Sequence, residues 1–310
     1  MEPFIHLHVH TQYSLLDGQA SIDALIDKAQ KDGMPAIAVT DHGVMFGIKE
    51  FFNKVSKKNG KPLGAIKDYE KELKELKSKT EEQARLEEIP AKIEEEKKKI
   101  FKPIFGCECY CARNGRHSKL ASQNDRSGWH LIVLAKNLNG YKNLIKMVSL
   151  SWTEGFYGRP RIDKELLEKY HEDLIICSAC IGGEIPQHIL NGRMDKAEES
   201  VLWFKNLFGE DYYLEIQRHE THDPNAAQDV YPHQVTANKA ILELARKHNI
   251  KVIATNDVHF VNAEDAEAHD RLICLSTGKD LDDPNRMRYT KQEWMKTTAE
   301  MNTIFSDIPE

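Results

Sequence analysis

Short apolar runs alternate with amphipathic stretches along most of the chain, a pattern typical of a β/α architecture. The apolar runs predict seven strands, at Ile5–Val9, Ala36–Thr40, Pro103–Glu108, Leu131–Ala135, Leu174–Ser178, Tyr212–Ile216 and Lys251–Thr255. The stretches between them have apolar residues at helical spacing. They predict helices at Ile22–Lys31, Tyr141–Ser149, Lys196–Phe208 and Thr236–His248. Seven strands favour a barrel, although a doubly wound sheet would give a similar order of elements.

Residues 57–102 interrupt this pattern, because the segment is dominated by Lys and Glu. Its apolar residues recur at steps of three and four in two groups, Ile66, Tyr69, Leu73 and Leu76, then Leu86, Ile89, Ile93 and Ile100. A narrow apolar seam on a charged surface predicts an inserted, projecting helical hairpin, and Pro90 predicts a break in it. A solvated spacer is the simpler interpretation, and a docking arm for another subunit is the alternative.

The pattern divides the chain into three parts. Residues 1–270 hold all the predicted strands and predict one barrel domain, with the charged arm 57–102 inserted into it. Residues 271–310 do not repeat the strand and helix pattern, and they stop without a compact ending. We therefore expect this last part to connect the barrel to a further domain of a longer protein.

Composition narrows the class of protein without identifying a reaction. Hydrophobic residues make up 40% and charged residues 30%, which excludes collagen, a disulfide scaffold and wholesale disorder. No apolar run is long enough to span a membrane and no secretory signal is visible, so we expect a cytoplasmic protein. The net charge of −6 argues against a surface that coats nucleic acid, but it allows a local basic groove. Six cysteines without an export signal are expected to be reduced or bound to metal.

The first candidate chemistry is the motif His6-Leu-His-Val-His10. On a strand, alternate side chains share one face, so His6, His8 and His10 are expected to point the same way. Two imidazoles at this spacing can chelate one ion of Zn, Mn or Fe. Taken alone, the motif leaves metal binding and simple burial equally open.

Potential ligands recur where other predicted strands end. They are Asp41 and His42, Glu108, Cys180, and Asp257 and His259. In β/α barrels the residues of the site gather at the carboxyl ends of the strands, where the loops are free to vary. Core packing would supply Val, Ile and Leu at these positions. A site that binds several metal ions is the better explanation.

Seven motifs are distributed, in this order, along almost the whole chain outside the charged arm: His6–Gly18, Gly33–Gly43, Trp129–Ala135, Tyr157–Asp163, Ser178–Glu184, Tyr213–His219 and Ala254–Phe260. In these motifs the chain resembles the PHP (polymerase and histidinol phosphatase) superfamily. More narrowly, it resembles the N-terminal PHP domains of bacterial DNA polymerase III alpha subunits.

The resemblance implies a distorted seven-stranded (β/α)7 barrel that holds up to three divalent ions of Zn, Mn or Fe. Matched residue by residue, it assigns the ligands to His8, His10, Asp17, His42, Glu108, His130, Cys180, Asp257 and His259. His130 precedes its predicted strand, so the strand-end argument does not predict it and only the resemblance does. His6 is absent from the set, and we expect it to be buried or to support the ligands.

Other residues near the motifs have weaker assignments. Arg161 is the first candidate for holding a phosphate through a bidentate fork, followed by Arg159 and Arg126. We expect Asp41 and Asn256 to hydrogen-bond to ligands. Three cysteines near Glu108 in the sequence are expected to face away from the metal ions: Cys107, Cys109 and Cys111. His219 and His222 are expected to be either surface residues or substrate contacts.

The implied activity is metal-dependent phosphoester hydrolysis within a DNA-directed DNA polymerase whose palm carboxylates lie beyond residue 310. A 3′–5′ exonuclease that trims the 3′ end of a DNA primer fits best, with the remaining polymerase domains and replisome subunits as partners. No side chain is assigned as the nucleophile, since hydroxide formed on the metal ions is expected to attack. The alternatives are a catalytically silent, metal-stabilised scaffold and a free-standing phosphatase. The polymerase-like segments Gly155–Asp163 and Asp282–Arg286 speak against the phosphatase.

Overall fold

A curled mixed sheet flanked by helices organises the computed structural model, which describes residues 3–76, 83–120 and 125–309. The predicted α/β class is confirmed, and six of the seven predicted strands are present with small shifts of their ends. The strands are β1 (Ala36–Val39), β2 (Lys102–Cys111), β3 (Trp129–Ala135), β4 (Arg161–Ile162), β5 (Leu174–Cys177), β6 (Tyr212–Ile216) and β7 (Lys251–Ala254). Their order in the sheet is β1-β2-β3-β5-β6-β7, and β4 pairs with β2.

Eleven helices are formed by the described residues. They are α1 (Ile22–Lys31), α2 (Ile48–Lys58), α3 (Gly60–Leu76), α4 (Gln83–Lys98), α5 (Leu138–Thr153), α6 (Lys164–Tyr170), α7 (Glu184–Leu190), α8 (Met194–Phe208), α9 (Val230–His248), α10 (Ala266–Thr277) and α11 (Thr298–Ile304). The predicted helices correspond to α1, α5, α8 and α9. None of the described helices combines the length and the apolar character needed to span a bilayer.

The N-terminal segment joins the two edges of the curled sheet. On one side, the carbonyl of His6 accepts from Ala38 N–H at 2.9 Å. On the other, His10 N–H donates to the carbonyl of Val258 at 2.7 Å. The predicted strand Ile5–Val9 is wrong as a continuous strand, because only Val9 forms a bridge, with Val258. The residue before Val258, Asp257, has a left-handed backbone (φ 48°), which interrupts strand geometry on that side.

Strand β3 runs against its neighbours. It is antiparallel to both β2 and β5, and His130 at its start pairs with Tyr110 near the end of β2. Strands β5, β6 and β7 are parallel to one another, as are β1 and β2. The first residues of β3 therefore lie at the same end of the sheet as the carboxyl ends of the other strands.

The largest apolar core lies between the sheet and helices α5 to α9. Cys107, Cys109 and Cys111 are buried in this core, each with 2% exposure or less, on the side of β2 away from Glu108, as predicted. A second core joins α1, α2 and β1 around Ile26, Ile37 and others. Between them, the two cores fix the strands from which the site is built.

Helices α3 and α4 form most of the segment 57–102 and pack against each other through a small apolar cluster that includes Ile66, Ile89 and Ile93. Asn59 ties the two ends of the segment together: its Nδ2 donates to the carbonyl of Phe101 at 2.8 Å, and its Oδ1 accepts from Phe101 N–H at 3.0 Å. The predicted break at Pro90 is wrong, since α4 continues through it. Pro90 lies on the exposed side of α4, where the carbonyl that loses its N–H partner reaches water.

The C-terminal segment packs against the residues that follow β7. His259 N–H donates to the carbonyl of Glu293 at 2.9 Å, and Met295 N–H donates to the carbonyl of Phe260 at 2.9 Å. Asn256 Nδ2 donates to two carbonyls of the same segment, at 2.9 and 2.8 Å. The division of the chain at residue 270 stays a prediction, but part of the segment 271–310 belongs to the same rim of the sheet as the motif 254–260.

Lys296 in this segment is expected to make stability rise with pH. Its side chain is 2% exposed, its Nζ donates to the carbonyl of Gln292, and no carboxylate of the described residues is within ion-pair distance. The Trp294 ring, 3.5 Å from Nζ, favours the cation, yet burial dominates and lowers the pKa of Lys296 from 10.5 to about 7. Between these two values the unfolded chain binds one more proton than the folded chain, so the free energy of unfolding increases with pH across that window.

Urea unfolding of the unaltered chain and of Lys296→Met, from about pH 7 to about pH 10, measures this effect. The methionine variant should lose a pH-dependent increase on the order of a few kcal/mol. Parallel pH profiles for the two proteins would show that Lys296 keeps an ordinary pKa.

Candidate metal centre

All nine side chains predicted as ligands meet at one end of the sheet. His8 Nε2 lies 3.0 Å from Asp257 Oδ1 and 3.4 Å from Glu108 Oε1. His10 Nε2 lies 3.2 Å from Asp257 Oδ1 and 3.3 Å from Glu108 Oε2. These two carboxylates and two imidazoles therefore face one small volume from three separate parts of the chain.

The other predicted ligands extend this group on two sides. On one side, His130 Nδ1 lies 2.8 Å from Glu108 Oε1 and 3.5 Å from Cys180 Sγ. On the other, His42 lies between two carboxylates, with Nδ1 2.6 Å from Glu108 Oε2 and Nε2 2.9 Å from Asp17 Oδ2. Three sets of donor atoms each lie within 4.8 Å of one another: His10, His42 and His259; His8, His10 and Glu108; and Glu108, His130 and Cys180. Glu108 belongs to two of the sets and is the centre of the cluster.

The donor atoms at the centre are buried and have no hydrogen-bond partner. They are Nε2 of His8 and His10, Nδ1 of His42, both carboxylate oxygens of Glu108 and Oδ1 of Asp257. Leaving such atoms unpartnered is costly in a folded protein, whereas divalent cations would satisfy them all. The mixture of imidazole, carboxylate and thiol suits Zn, Mn or Fe better than Mg, which prefers oxygen ligands. The residues thus fit the ions that the sequence predicts.

Left-handed backbone conformations place three of these ligands. Asp257 itself has φ 48°, while Leu16 (φ 60°) precedes Asp17 and Ala179 (φ 63°) precedes Cys180. Such conformations are uncommon outside glycine and are found at functional sites, where the surrounding structure holds them. Gly18 packs so closely that a Cβ there would lie 2.1 Å from the carbonyl of Thr11, so the turn carrying Asp17 requires glycine.

Second hydrogen bonds orient the two histidines of the first motif. His8 Nδ1 lies 2.7 Å from Glu215 Oε1, an arrangement that turns Nε2 towards the cluster. His10 Nδ1 lies 3.0 Å from Ser14 Oγ, which donates to Asp41 Oδ1 at 2.8 Å. Asp41 therefore supports His10 through Ser14 and not by the direct hydrogen bond to a ligand that was predicted. The strand-end argument missed Glu215, although a carboxylate near the end of β6 could have been included in it.

Replacing Glu215 with glutamine is expected to weaken metal binding without unfolding the chain. Glutamine keeps the shape of the side chain but no longer favours an N–H on Nδ1 of His8, so Nε2 becomes a weaker donor to a cation. Loss of such an outer partner typically lowers metal affinity about 10- to 100-fold. Titration with Zn²⁺ against a competing chelator measures this affinity. Equal affinities for Glu215→Gln and the unaltered chain would count against this role.

Histidines and carboxylates of the cluster shift the pKa values of one another. Burial lowers the pKa of His8, but Asp257, Glu215 and Glu108 outweigh it and raise that pKa well above its usual range. Burial raises the pKa of Glu108, but His130, His42 and His8 outweigh it and hold that pKa well below its usual value. Despite burial, the pKa of His42 is also raised well above its usual range, chiefly by Glu108, so protons on His8 and His42 balance the carboxylates, a balance that bound cations would replace.

The thiol of Cys180 shows why a cation matters. Burial, together with Asp257 and Glu108, raises the pKa of Cys180 well above the usual range. In these surroundings the side chain is a neutral thiol. A bound divalent ion reverses the local charge and is what would convert Cys180 into a thiolate ligand.

Two supporting residues are not where they were predicted. His6 does not share a face with His8 and His10; it is fully buried and its Nε2 contacts the carbonyl of Lys296 at 2.8 Å. Burial lowers the pKa of His6 to about 4. The side chain of Asn256 donates to the C-terminal segment rather than to a ligand, because that segment lies against it.

The prediction that Arg161 holds a phosphate is wrong. The side chain is fully buried, and its guanidinium donates to the carbonyls of four residues, Gly155, Asp125, Arg116 and Ser118. The reason is strand β4, which pairs with β2 and places Arg161 in the interior. Arg159 and Arg126 are exposed and lie over the rings of Tyr110 and Tyr157, so both stay candidates.

A cleft of about 250 Å³ opens over the cluster, and part of its wall comes from residues 287–290. Tyr289 donates to Asp17 Oδ1 at 2.7 Å and lies 3.4 Å from His259 Nε2, so it fixes one end of the cluster. His219 also lines this cleft, whereas His222 is exposed. A larger cavity of about 680 Å³ lies around Leu7, Ile104 and Ile253, where the lining is mainly apolar and holds none of the predicted ligands.

Comparison with known proteins adds a family to this geometry. The chain matches the family model of the PHP domain over residues 6–219. It is 42% identical to the DNA polymerase III subunit alpha of Borreliella burgdorferi, over 99% of this chain and 22% of that protein. The corresponding subunits of Treponema pallidum and Thermus aquaticus are each 35% identical, over 99% and 98% of this chain and 22% and 21% of those proteins. The chain spans about a fifth of the length of the curated relatives it matches.

One solved structure, from Bifidobacterium adolescentis and provisionally assigned as a metal-dependent phosphoesterase, aligns with a TM-score of 0.41 and 12% sequence identity. The alignment covers 97% of both chains. A likeness of this strength does not bear on the function of this chain.

Proposed function

Because the chain belongs to the PHP domain family, we propose that the cluster around Glu108 binds up to three divalent ions and that the domain hydrolyses phosphoesters. The observation that carries this proposal is the set of buried, unpartnered donor atoms on His8, His10, His42, Glu108 and Asp257. Zn, Mn or Fe bound there would lower the pKa of water, neutralise phosphate charge and steady the leaving oxygen.

Different residues would bind the ions on different sides of the cluster. Glu108 would contribute both of its oxygens, which face different groups of histidines. Asp17, held by Tyr289, would complete the side near His42 and His259. Cys180 and His130 would complete the opposite side. The cleft above them is the route by which a phosphoester would enter.

The reaction that we propose is 3′–5′ exonuclease trimming of a DNA primer end. Support comes from relatives that are DNA polymerase III alpha subunits matching almost the whole chain. In such a protein, palm carboxylates beyond residue 310 would carry out synthesis, residues 271–310 would lead towards them, and replisome subunits would be partners in the cytoplasm. The net charge of −6 fits a domain that meets a DNA end at one cleft rather than along its surface.

The test uses the purified chain, loaded in turn with Zn²⁺, Mn²⁺ and Fe²⁺, and a primer labelled at its 3′ end. We expect release of the labelled nucleotide, and its loss in Asp17→Asn and Cys180→Ala together with lowered metal content by elemental analysis. His117→Ala, which changes a histidine that is 64% exposed and outside the cluster, is the matched control and should keep both.

Each alternative predicts a different result. If the metal-loaded chain releases no nucleotide with any ion, but chelation unfolds it, the cluster is a structural element of a scaffold. If histidinol phosphate is turned over faster than DNA, the domain is a small-molecule phosphatase. Either result overturns the exonuclease proposal.

A further inference from the structure

Among the residues that line the cleft over the cluster, one has a permanently cationic side chain. Of the described residues that line it, Arg288 alone is an arginine or lysine. The floor of the cleft, by contrast, holds the carboxylate of Asp257 and the thiol of Cys180 beside the histidines. A phosphate entering this cleft meets acidic groups below and Arg288 on the wall.

Arg288 is not committed to an acidic partner, unlike its neighbours in sequence and space. Its Nη1 and Nη2 lie 3.2 and 3.5 Å from the carbonyls of Pro284 and Asp283, and no carboxylate of the described residues forms an ion pair with it. Arg286, two residues earlier, is paired through both terminal nitrogens with Asp270. The guanidinium of Arg161 donates its hydrogen bonds to backbone carbonyls. The guanidinium of Arg288 therefore has capacity for a ligand.

The backbone that carries Arg288 is fixed on both sides. Before it, Arg286 Nη2 lies 2.7 Å from Asp270 Oδ2. After it, Tyr289 donates to Asp17, and Thr290 N–H donates to Glu293 Oε1 at 3.1 Å. A backbone held in this way keeps the root of the Arg288 side chain at a fixed position on the wall of the cleft, which favours recognition of a ligand within its reach.

We propose that Arg288 binds a phosphoryl oxygen of the substrate in the cleft over the cluster. This inference rests on the proposed function. It assigns to Arg288 the phosphate-binding role that was predicted first for Arg161. The planar fork of arginine matches two oxygens of a phosphate, which a lysine ammonium does not. The ligand class is a phosphate mono- or diester whose phosphoryl group reaches the cleft.

Binding of inorganic phosphate to the Mn²⁺-loaded chain, measured by isothermal titration calorimetry, tests Arg288 without requiring hydrolysis. Arg288→Gln should weaken phosphate binding about 10- to 100-fold with unchanged metal content. Arg288→Lys should fall between the two, because it keeps the charge but not the fork. Arg271→Gln, which changes an arginine that is 60% exposed and paired with Glu267 on α10, should bind phosphate normally.

The same variants in the primer assay should raise KM for DNA more than they lower kcat, since Arg288 contacts no predicted ligand of the cluster. Equal phosphate affinity for Arg288→Gln and the unaltered chain would overturn this inference and leave the exonuclease proposal intact. No phosphate binding by the unaltered, metal-loaded chain overturns the inference as well. Phosphate binding without any nucleotide release overturns the exonuclease proposal alone.

Discussion

Replacing Glu108 with glutamine is expected to abolish metal-dependent hydrolysis and to remove at least one bound ion per chain. Glu108 is 1% exposed, and its two oxygens lie within 3.4 Å of nitrogens on His8, His10, His42 and His130. Glutamine keeps the shape, but it removes the negative charge and places an NH₂ group against the cations. We expect the rate to fall at least about a hundredfold, since even outer partners of metal ligands are worth about 10- to 100-fold.

Elemental analysis and the primer assay measure the two expected losses. Glu199→Gln is the matched control, because that glutamate is 69% exposed and pairs with Lys196 in the preceding turn of α8. Circular dichroism establishes whether Glu108→Gln is folded. A folded Glu108→Gln with full metal content and normal activity would contradict the central place of this carboxylate.

Much of the cluster could be predicted because its ligands follow short apolar runs. His42, Glu108, Cys180, Asp257 and His259 stand at or just after the ends of runs that form parallel strands. Parallel strands bring their carboxyl ends to one edge, so position along the chain converts directly into position in space.

His130 shows where that reasoning stops. It precedes an apolar run, and for a parallel strand it would lie at the wrong end of the sheet. Strand β3 is antiparallel to both of its neighbours, which brings His130 to the rim. An apolar run has the same pattern in either direction, so strand polarity was not readable from these residues.

The burial of Arg161 and the hydrogen bond from Tyr289 to Asp17 were missed for a related reason. The two-residue strand β4 is too short to give a period, so the burial of Arg161 had no signal in the sequence. Tyr289 lies 272 residues from Asp17, to which it donates a hydrogen bond, in a segment that does not repeat the barrel pattern. Contacts of that kind depend on how the chain returns to the rim after α10, which local patterns do not specify.

Removing the metal ions is expected to lower the midpoint of thermal unfolding by about 10 °C. The ions bind only the folded chain, since the ligands are spread over some 250 residues from His8 to His259. Ligand present at about a thousand times its dissociation constant stabilises a fold by about 4 kcal/mol. In domains somewhat smaller than this one, each kcal/mol corresponds to about 2–4 °C.

Differential scanning calorimetry before and after treatment with a chelator, and again after adding back Zn²⁺ or Mn²⁺, measures this shift. The added ion should restore the midpoint, and Glu108→Gln should show a much smaller difference between the treated and untreated protein. An unchanged midpoint, with elemental analysis showing that the ions are gone, would mean that the cluster is held together by its own protons and hydrogen bonds. In that case protonated His8 and His42 already supply positive charge beside Glu108 and Asp257, and the ions contribute chemistry without stabilising the fold.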